Sequence, residues 1–497
     1  MKKYIAALDQ GTTSTRCIVF DHTGRIITQA QKEHRQYYPK PGWVEHDGEE
    51  IWQNSLDVLL QAGEKAGIEQ VAAIGITNQR ETVLIWDAKT GVPAARAIVW
   101  QDTRTEDMVR SLVESKGKDY FAHKTGLPPA TYFSATKLSW MLQKDTALAA
   151  KAKNGEILAG TIDSWLLWKL TGGRVHSTDA TNASRMLLMD INTLSWDTEL
   201  LDLFGIPEAM LPRISASIPD GPLGYTQKDG PLKAEIPICG ILGDQQAALF
   251  GQACFEPGTC KNTYGTGCFT LMPIGTEPLR SKTGLLTTVA YKKGDAPAEY
   301  AFEGSVAIAG SLVQWFRDNM GLIKESAEIE ALANTVDDNG DVYFVPAFSG
   351  LFAPHWRGDA RGVIAGLTGY ANKGHIARAI LEATAFQSWE IVQAMERESG
   401  SPLKLLKVDG GMTANATLMQ FQADLLGIPV VRPVVSETTA LGAAYAAGLS
   451  AGFWKSTGDI LERWREDIRW SPTMPEADSA RLKTRWQAAV QRSLGWV

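Results

Sequence analysis

An apolar run that stops at a carboxylate, turns through glycine and hydroxyls, and resumes as a second apolar run describes a β-hairpin with a polar tip. This chain opens on such a pattern, KKYIAALDQGTTSTRCIVFD. KKYIAALD predicts a short buried strand, GTTST a tight turn, and RCIVFD a second strand closed by HTG. Between Asp9 and Arg16 lie one glycine and four hydroxyls, those of Thr12, Thr13, Ser14 and Thr15. A related pattern returns in the second half. EIPICGILGD predicts an apolar strand ending in Gly243 and Asp244, QQAALFGQA the start of a helix, and GTCKNTYGTGCFTL another hairpin with a small-residue tip. Two halves of related architecture, meeting near residue 250, follow from that order.

The rest of the chain alternates helix and strand signals, which places it in the α/β class. DGEEIWQNSLDVLLQAG has apolar residues on one helical face, and Asp47 with Glu50 three places on predicts a capping box. VAAIGIT is continuously apolar, as a strand buried on both faces is, and TVLIWD with the turn AKTG gives another strand. Later, LKLLKVDGG reads as strand and glycine turn, NATLMQFQADLLG as a helix, IPVVRPVV as a strand, and ETTALGAAYAAGL as a small-residue helix suited to close packing. The tail after Phe453, rich in Trp and charge, predicts a helical cap.

With 497 residues the chain exceeds what one hydrophobic core serves, so domains at 1–250 and 251–497 are expected, with ligand chemistry at their junction. Lys and Arg number 49 against 56 Asp and Glu, a net charge of -7, which offers no broad field for nucleic acid or an anionic membrane. A small-molecule partner is expected instead. The five cysteines are odd in number and lack CxxC spacing or paired histidines, which argues against a disulfide framework or zinc site and fits a reducing cytoplasm. The first apolar run ends at Asp9, and no later run approaches the ~20 residues of a membrane span, so an unexported protein without a membrane span is expected.

Backbone amides and hydroxyls at a hairpin tip, with an arginine fork beside them, suit an anion, and Asp9 at the strand end could hold magnesium through water. A solvated Ser/Thr turn explains the same residues taken alone. Asp244, after a buried strand and at a helix start, is a candidate general base; the alternative is a helix cap. Gly265, Thr266 and Gly267 repeat the glycine and hydroxyl theme, and Asp409–Gly411 forms a glycine turn that lets backbone approach a flat ligand. No P-loop GxxxxGK[ST] occurs, and the GxG at Gly265 lacks a third glycine, so P-loop and protein-kinase chemistry are excluded. His355 and Asp359 in APHWRGDARG read as structural rather than as metal ligands.

Two hydroxyl-bearing hairpin tips, an aspartate at a strand end and a late glycine turn resemble the ATPase fold of actin, Hsp70 and hexokinase. LDQGTTSTR, GITNQRET, IVWQDTRT, GDQQAALFGQ, NTYGTGCF, DGGMTANATLMQFQADLLGIPV and ETTALGAAYAAGL resemble the FGGY carbohydrate kinases from Tyr4 to about Trp454. NQRET and IVWQDTRT point within that family to glycerol as substrate. The resemblance implies two related actin-like (ribonuclease H-like) domains around a cleft, the first phosphate hairpin and the glycerol site in one half, and the second hairpin and the adenosine region in the other. The implied activity is ATP-dependent phosphorylation of glycerol to sn-glycerol 3-phosphate, with ATP/ADP and Mg2+.

By resemblance, Thr12, Thr13, Ser14 and Arg16 contact the nucleotide phosphates, and Thr266 does so from the second tip. Gly310, Gln314, Gly411 and Asn415 match the remaining ATP contacts. Arg80, Glu81, Tyr132, Asp244 and Gln245 match glycerol ligands, with Trp100 and Phe269 walling its carbon side, Asp244 as general base and Asp9 toward magnesium. Read without the family, Arg80 and Glu81 are a structural ion pair beside a strand, and Trp100 and Tyr132 core aromatics; only the surrounding motif gives them a function. Members of the family commonly form dimers and tetramers, which implies a homo-oligomer. The Gly-Gly-Thr-Arg run through which some members respond to fructose 1,6-bisphosphate, and the histidine whose phosphorylation activates others, have no counterpart in SASIPDGPLGYTQKDGPLKAEIP, so neither control is expected. The rival readings are a kinase of the same fold acting on erythritol, xylulose or ribulose, and a non-kinase actin-like ATPase switch. No basic recognition helix supports a DNA-binding regulator.

Overall fold

The computed structural model describes residues 2–497. In the first half, β1 (Tyr4–Gln10), β2 (Ser14–Asp21) and β3 (Ile26–Glu33) form an antiparallel meander. Helix α1 (Gly48–Ala66) then crosses back to β4 (Val71–Asn78), which lies parallel to β1, and β5 (Pro237–Gly243) lies parallel to β4. Helix α2 (Asp244–Gly251) begins at the residue after β5. The strand order is β5-β4-β1-β2-β3, with the short strand Gly224–Tyr225 on the β5 edge. VAAIGIT forms the continuously apolar strand because it is buried on both faces. TVLIWD enters a separate four-stranded sheet, in the order Glu45–His46, Ala97–Ile98, Val83–Asp87, Ile157–Thr161.

The second half repeats this topology. β6 (Thr259–Tyr264) and β7 (Cys268–Gly275) form its hairpin, flanked by β8 (Leu286–Tyr291) and β9 (Glu299–Val306). After α3 (Gly310–Asp318) and α4 (Lys373–Ser399), β10 (Leu405–Asp409) lies parallel to β6. Helix α5 (Ala416–Leu426), β11 (Val430–Pro433) parallel to β10, and α6 (Thr438–Ser450) follow. The order β11-β10-β6-β7-β9 matches β5-β4-β1-β2-β3 strand for strand, in direction as well as position. β11 is followed by α6 as β5 is followed by α2.

The two halves are joined through α2 and α6. Although it follows a strand of the second sheet, α6 lies on β5, β4 and β1 of the first. Ala440, Ala443, Ala444 and Ala447 thereby share one core with Ile5, Ala7, Ile18 and Phe20. Small residues allow the approach: a β-carbon on Gly442 would lie 1.8 Å from the Ala247 carbonyl oxygen, and one on Gly251 2.0 Å from that of Thr438. The close packing expected of ETTALGAAYAAGL is therefore made across the molecule.

Three local expectations are corrected. The first tip is Gly11–Thr13 alone; Ser14 and Thr15 join Arg16 in β2, where Thr15 pairs with Gln10 and is buried, as suits a β-branched residue. Asp47 caps α1 by accepting from the Glu49 and Glu50 amides, but the Glu50 carboxylate accepts instead from the Arg35 amide at 3.1 Å, so no capping box closes. The tail is not only helical. β12 (Glu466–Trp470) pairs antiparallel with β11 before α7 (Glu476–Arg492) packs Trp486 against Phe386.

Candidate active site

The loop after β4 turns Arg80 and Glu81 into the space between the sheets. Arg80, 2 % exposed, makes a two-pronged contact with Glu303 of β9: Nη1 donates to Oε2 at 2.6 Å and Nη2 to Oε1 at 2.9 Å. Its Nη1 also donates to Gln246 Oε1 at 3.2 Å, and Nε lies 3.1 Å from Asp244 Oδ1 at the start of α2. Of a guanidinium's five N–H donors these hydrogen bonds take both on Nη1 and one on Nη2, leaving one Nη2 hydrogen open and the Nε hydrogen in an ion-pair contact with Asp244. Glu81 takes a left-handed backbone with φ 60°, a conformation that costs about 1–3 kcal/mol unless its surroundings hold it. Its carbonyl accepts from Ser134 Oγ at 3.1 Å and Lys137 Nζ at 3.3 Å, and its Oε1 accepts from Arg185 Nε at 2.6 Å. Oε2 of Glu81 makes no hydrogen bond among the described residues.

These charges shape one another. Burial opposes ionisation of Glu303, but Arg185 and Arg80 outweigh it and pull its carboxyl down to about 2. Burial raises Glu81 and Asp244 above the usual carboxylate range, against the pull of Arg185 and Arg80 on Glu81 and of Arg80 and Lys261 on Asp244. The Asp244 side chain remains 28 % exposed, and Oδ1 accepts from the Gln245 amide at 2.7 Å. Gly243 precedes α2 and Asp244 is its first residue, so one Asp244 oxygen serves the first-turn amide of Gln245 and the other makes no hydrogen bond among the described residues. That free oxygen and a proton affinity raised by burial are features that a general base can use.

The aromatic wall closes on the same place. Trp100 Nε1 donates to Thr12 Oγ1 at 3.0 Å, tying the wall to the first tip, and the Trp100 and Tyr132 rings meet edge to face at 5.6 Å. Lys261 Nζ donates to Gln245 Oε1, to Thr263 Oγ1 at 2.9 Å and to the Phe269 carbonyl at 3.2 Å. Arg80, Glu81, Asp244, Gln245, Trp100, Tyr132, Phe269 and Thr12 are thus brought together by a few direct contacts. Asp9 stands beside them: burial pushes its carboxyl up to about 7 against the pull of Arg16, with Asp244 and Glu437 adding to the rise.

A second group forms around the other tip. Ala309 and Ser311 amides donate to the Thr266 carbonyl, and the Gly310 amide to that of Gly265, each at 3.0 Å, so the start of α3 is stitched to the tip. Gly310 has no room for a side chain: a β-carbon would lie 2.5 Å from the Gly265 oxygen and 3.3 Å from Met412 Sδ. Gly410, at φ 90°, meets the Tyr264 carbonyl in the same way, so the glycine turn at Asp409–Gly411 and α3 frame one backbone-lined slot. Asn415 caps α5, accepting from the Leu418 amide at 2.8 Å, and Gly411 opens onto free space. Thr13, Thr266 and Gln314 are exposed, with side chains free of hydrogen bonds among the described residues. Arg16 donates to Glu437 Oε2 at 2.6 Å, and the Ser14 hydroxyl accepts from Gln31 Nε2 at 3.3 Å.

The sequence reading passed over Glu303, Arg185, Lys261, Gln246 and Lys137. Each of the charged ones interrupts a buried segment: Lys261 in TCKNTY, Glu303 in YAFEGSV, Lys137 in SATKLSWML, Arg185 in NASRMLLM. A lone charge within an otherwise apolar element is the signal that could have found them, because a buried charge needs a partner. His355 and Asp359 do not meet at a common point: His355 Nε2 lies 3.1 Å from Glu390, and Asp359 accepts from Arg357 Nε at 2.6 Å.

Residues 4–251 match the N-terminal domain, and residues 260–451 the C-terminal domain, of the FGGY family of carbohydrate kinases. The chain is 57% identical to a glycerol kinase from Saccharopolyspora erythraea and 58% identical to one from Azorhizobium caulinodans, in both cases over 100% of each chain. Among solved structures it resembles Plasmodium falciparum glycerol kinase with ADP, at a TM-score of 0.93 and 40% identity over 99% of this chain and 98% of that one. A xylulose kinase from Lactobacillus acidophilus shares the fold, at a TM-score of 0.88 and 21% identity over 99% and 97% of the two chains.

Proposed function

Because the chain belongs to the FGGY family of carbohydrate kinases, we propose that the site between its two sheets transfers the γ-phosphoryl group of ATP to a terminal hydroxyl of glycerol, giving sn-glycerol 3-phosphate. The observation that carries the site assignment is the unsatisfied hydrogen-bonding capacity gathered beside Trp100 and Tyr132: one open hydrogen on Arg80 Nη2, a free Glu81 Oε2 and a free Asp244 oxygen. A three-carbon polyol needs donors and acceptors for its hydroxyls and an apolar wall for its C–H face, and these residues supply both. A buried site of this kind rejects analogues that lack a hydroxyl, since its own polar groups would stay unpaired.

Asp244 takes the proton of the attacking hydroxyl. Arg80 at 3.1 Å keeps it ionised while burial keeps its proton affinity high. Gln245, held by Lys261, orients a substrate hydroxyl beside it. Thr12, Thr13, Ser14 and Arg16 receive the phosphates from one side, and Thr266 from the other. Arg16 exchanges Glu437 for phosphate oxygens and bears the charge that develops on the transferred group. Gly310, Gln314, Gly411 and Asn415 border the slot for the adenosine part, where a backbone without side chains lets a flat ring lie close.

Asp9 would hold magnesium through water. The residues fit: its carboxyl faces the charges of Asp244 and Glu437 with Arg16 as the only opposing cation, and a divalent ion relieves that repulsion. No three metal-binding side chains converge among the described residues, which suits an ion bound chiefly by phosphate and water. When bound, magnesium supplies positive charge to the β- and γ-phosphate oxygens. No helix among the described residues is long and apolar enough to cross a membrane. A cytoplasmic location and a dimeric or tetrameric state belong to this reading through the family resemblance.

The test is ADP release with MgATP and a panel of polyols, in the wild type and in Asp244→Asn. Glycerol is expected to be preferred over erythritol, xylulose and ribulose, and Asp244→Asn to lower kcat by about 10²–10⁴-fold while ADP binding is retained. Glycerol-independent hydrolysis, or near-normal turnover of the variant, would overturn the assignment.

A further inference from the structure

At the end of β2 opposite the phosphate tip, a cavity of about 620 Å³ opens on the seam between the two halves. Three arginines line it, Arg25, Arg463 and Arg465, and none of the three forms an ion pair among the described residues. Arg463 donates to the backbone carbonyls of His22 at 3.0 Å and Asp459 at 2.6 Å, and Arg465 to that of Trp464 at 3.0 Å, so both guanidiniums are positioned without being neutralised. Glu462 is the one carboxylate in the lining and pairs with none of them.

Tyr445 reaches the cavity from beneath. Its side chain is 2 % exposed, its hydroxyl lies against Gly24 in the turn, and that hydroxyl has no hydrogen-bond partner among the described residues. Its oxygen is not one of the fully buried polar atoms but opens to the cavity, so its hydrogen is available to a ligand there. Beside it stand Val435, Leu441 and the Trp464 ring. The ring is fixed by a hydrogen bond to Gln252 Oε1 at 3.3 Å and by Lys407 Nζ 3.9 Å from its centroid. The turn that presents Arg25 is fixed too, since Asp21 Oδ1 accepts from the Thr23 amide at 2.8 Å and the Arg25 amide at 3.1 Å.

We propose that this cavity is a second ligand site, one that binds a small organic phosphate with its phosphate on Arg25, Arg463, Arg465 and the Tyr445 hydroxyl and its carbon skeleton on Trp464 and Val435. Three unneutralised guanidiniums around one donor hydroxyl call for a dianion with several acceptor oxygens, which a monocarboxylate does not supply. The enclosed apolar wall calls for carbon attached to it. Such a ligand touches both halves at once: Arg25 sits in the turn that follows β2, near whose far end lies Arg16, while Val435 lies two residues before Glu437, the partner of Arg16. Its binding therefore bears on the contact that must open for ATP phosphates to enter.

Isothermal titration at low ionic strength, with glycerol and ADP saturating so that the catalytic cleft is filled, tests this. Phenyl phosphate is expected to bind one further site, and more tightly than inorganic phosphate, because only the ester reaches the apolar wall. Arg25→Gln/Arg465→Gln, at two exposed positions outside the catalytic machinery, should weaken it at least tenfold with kcat unchanged. Tyr445→Phe, which removes only the hydroxyl, should weaken it about threefold, a fraction of what one charge-assisted hydrogen bond contributes. Phenyl phosphate binding that is absent in the wild type, or that persists undiminished in the double variant, overturns the proposal.

Discussion

At the residue scale the site is governed by charges that have no water to fall back on. Glu303 pairs with Arg80 and Arg185 where all three side chains are at most 2 % exposed, so Glu303→Gln takes the shared carboxylate from two buried guanidiniums, leaving Arg185 to Glu81 and Arg80 to Asp244. Removing one partner of such a group costs about 3–5 kcal/mol, and urea unfolding should show a loss of that order together with a raised KM for glycerol, since Arg80 loses its anchor. Lys137 presents a subtler case. Burial pulls its ammonium down to about 7 against the charges of Glu81 and Asp102, while Nζ donates to the Tyr132 carbonyl at 2.6 Å and to that of Glu81. Lys137→Met should therefore raise the KM for glycerol more than it lowers kcat, by releasing Glu81 from its left-handed backbone; an unchanged KM would show that Arg185 and Ser134 hold it without Lys137. The tip residues and Asp244 were legible because a polar cluster interrupts an apolar run at a strand end. Glu303 and Lys137 were not, because a single charge inside an apolar element carries no sign of its partner, here 223 residues from Arg80 in the first case.

At the element scale, glycines of two kinds do different things. Gly442 and Gly251 are required for space, because α2 and α6 approach with backbone against backbone. Gly427 is required for conformation: it ends α5 at φ 70°, with nothing within 4 Å of where a β-carbon would stand. Gly442→Ala should therefore cost several kcal/mol, beyond the ~1–3 kcal/mol typical of an overpacked core, because a carbonyl oxygen cannot yield as a side chain can. Gly427→Ala should cost about 1 kcal/mol, from strain alone. Equal losses in denaturant midpoint would refute the distinction. The sequence showed α6 as a helix of small residues, and close packing followed from that composition. Its partner could not be read, since Ala and Gly suit any close neighbour and only the fold selects α2 and the first sheet. The tail strand β12 was hidden for a related reason: EDIRW has almost no apolar face, being an edge strand with only Trp470 buried.

At the scale of the whole molecule, several buried carboxylates shift the same way. Asp9, Asp163 and Glu382 are each raised by burial to about 7. A raised native pKa means that the folded state keeps a proton the unfolded chain releases, so stability without ligand falls as pH rises from about 4.5 to 7. Glu382 lies away from the cleft, bonded to Asn339 and Arg378. Glu382→Gln should flatten that decline and be more stable than the wild type at pH 8 by about 1–3 kcal/mol, measured by urea unfolding across pH. The duplicated architecture was legible from the repeated hairpin, but the placement of α6 makes the halves interdependent. Residues 1–251 expressed alone would leave the face of β5, β4 and β1 uncovered, and that fragment should bind a hydrophobic dye and aggregate, whereas the full chain should not.

The α2 and α6 contact has a mechanical consequence. Backbone touching backbone through Gly251 and Gly442 leaves no slack for the helices to slide, so the two sheets can change their relation only by swinging about that crossing. It then works as an axle. Glu437 immediately precedes α6, so its bond to Arg16 lies close to the axis and travels little. The carboxylate that Arg16 gives up for phosphate is thus mounted at the start of the axle itself.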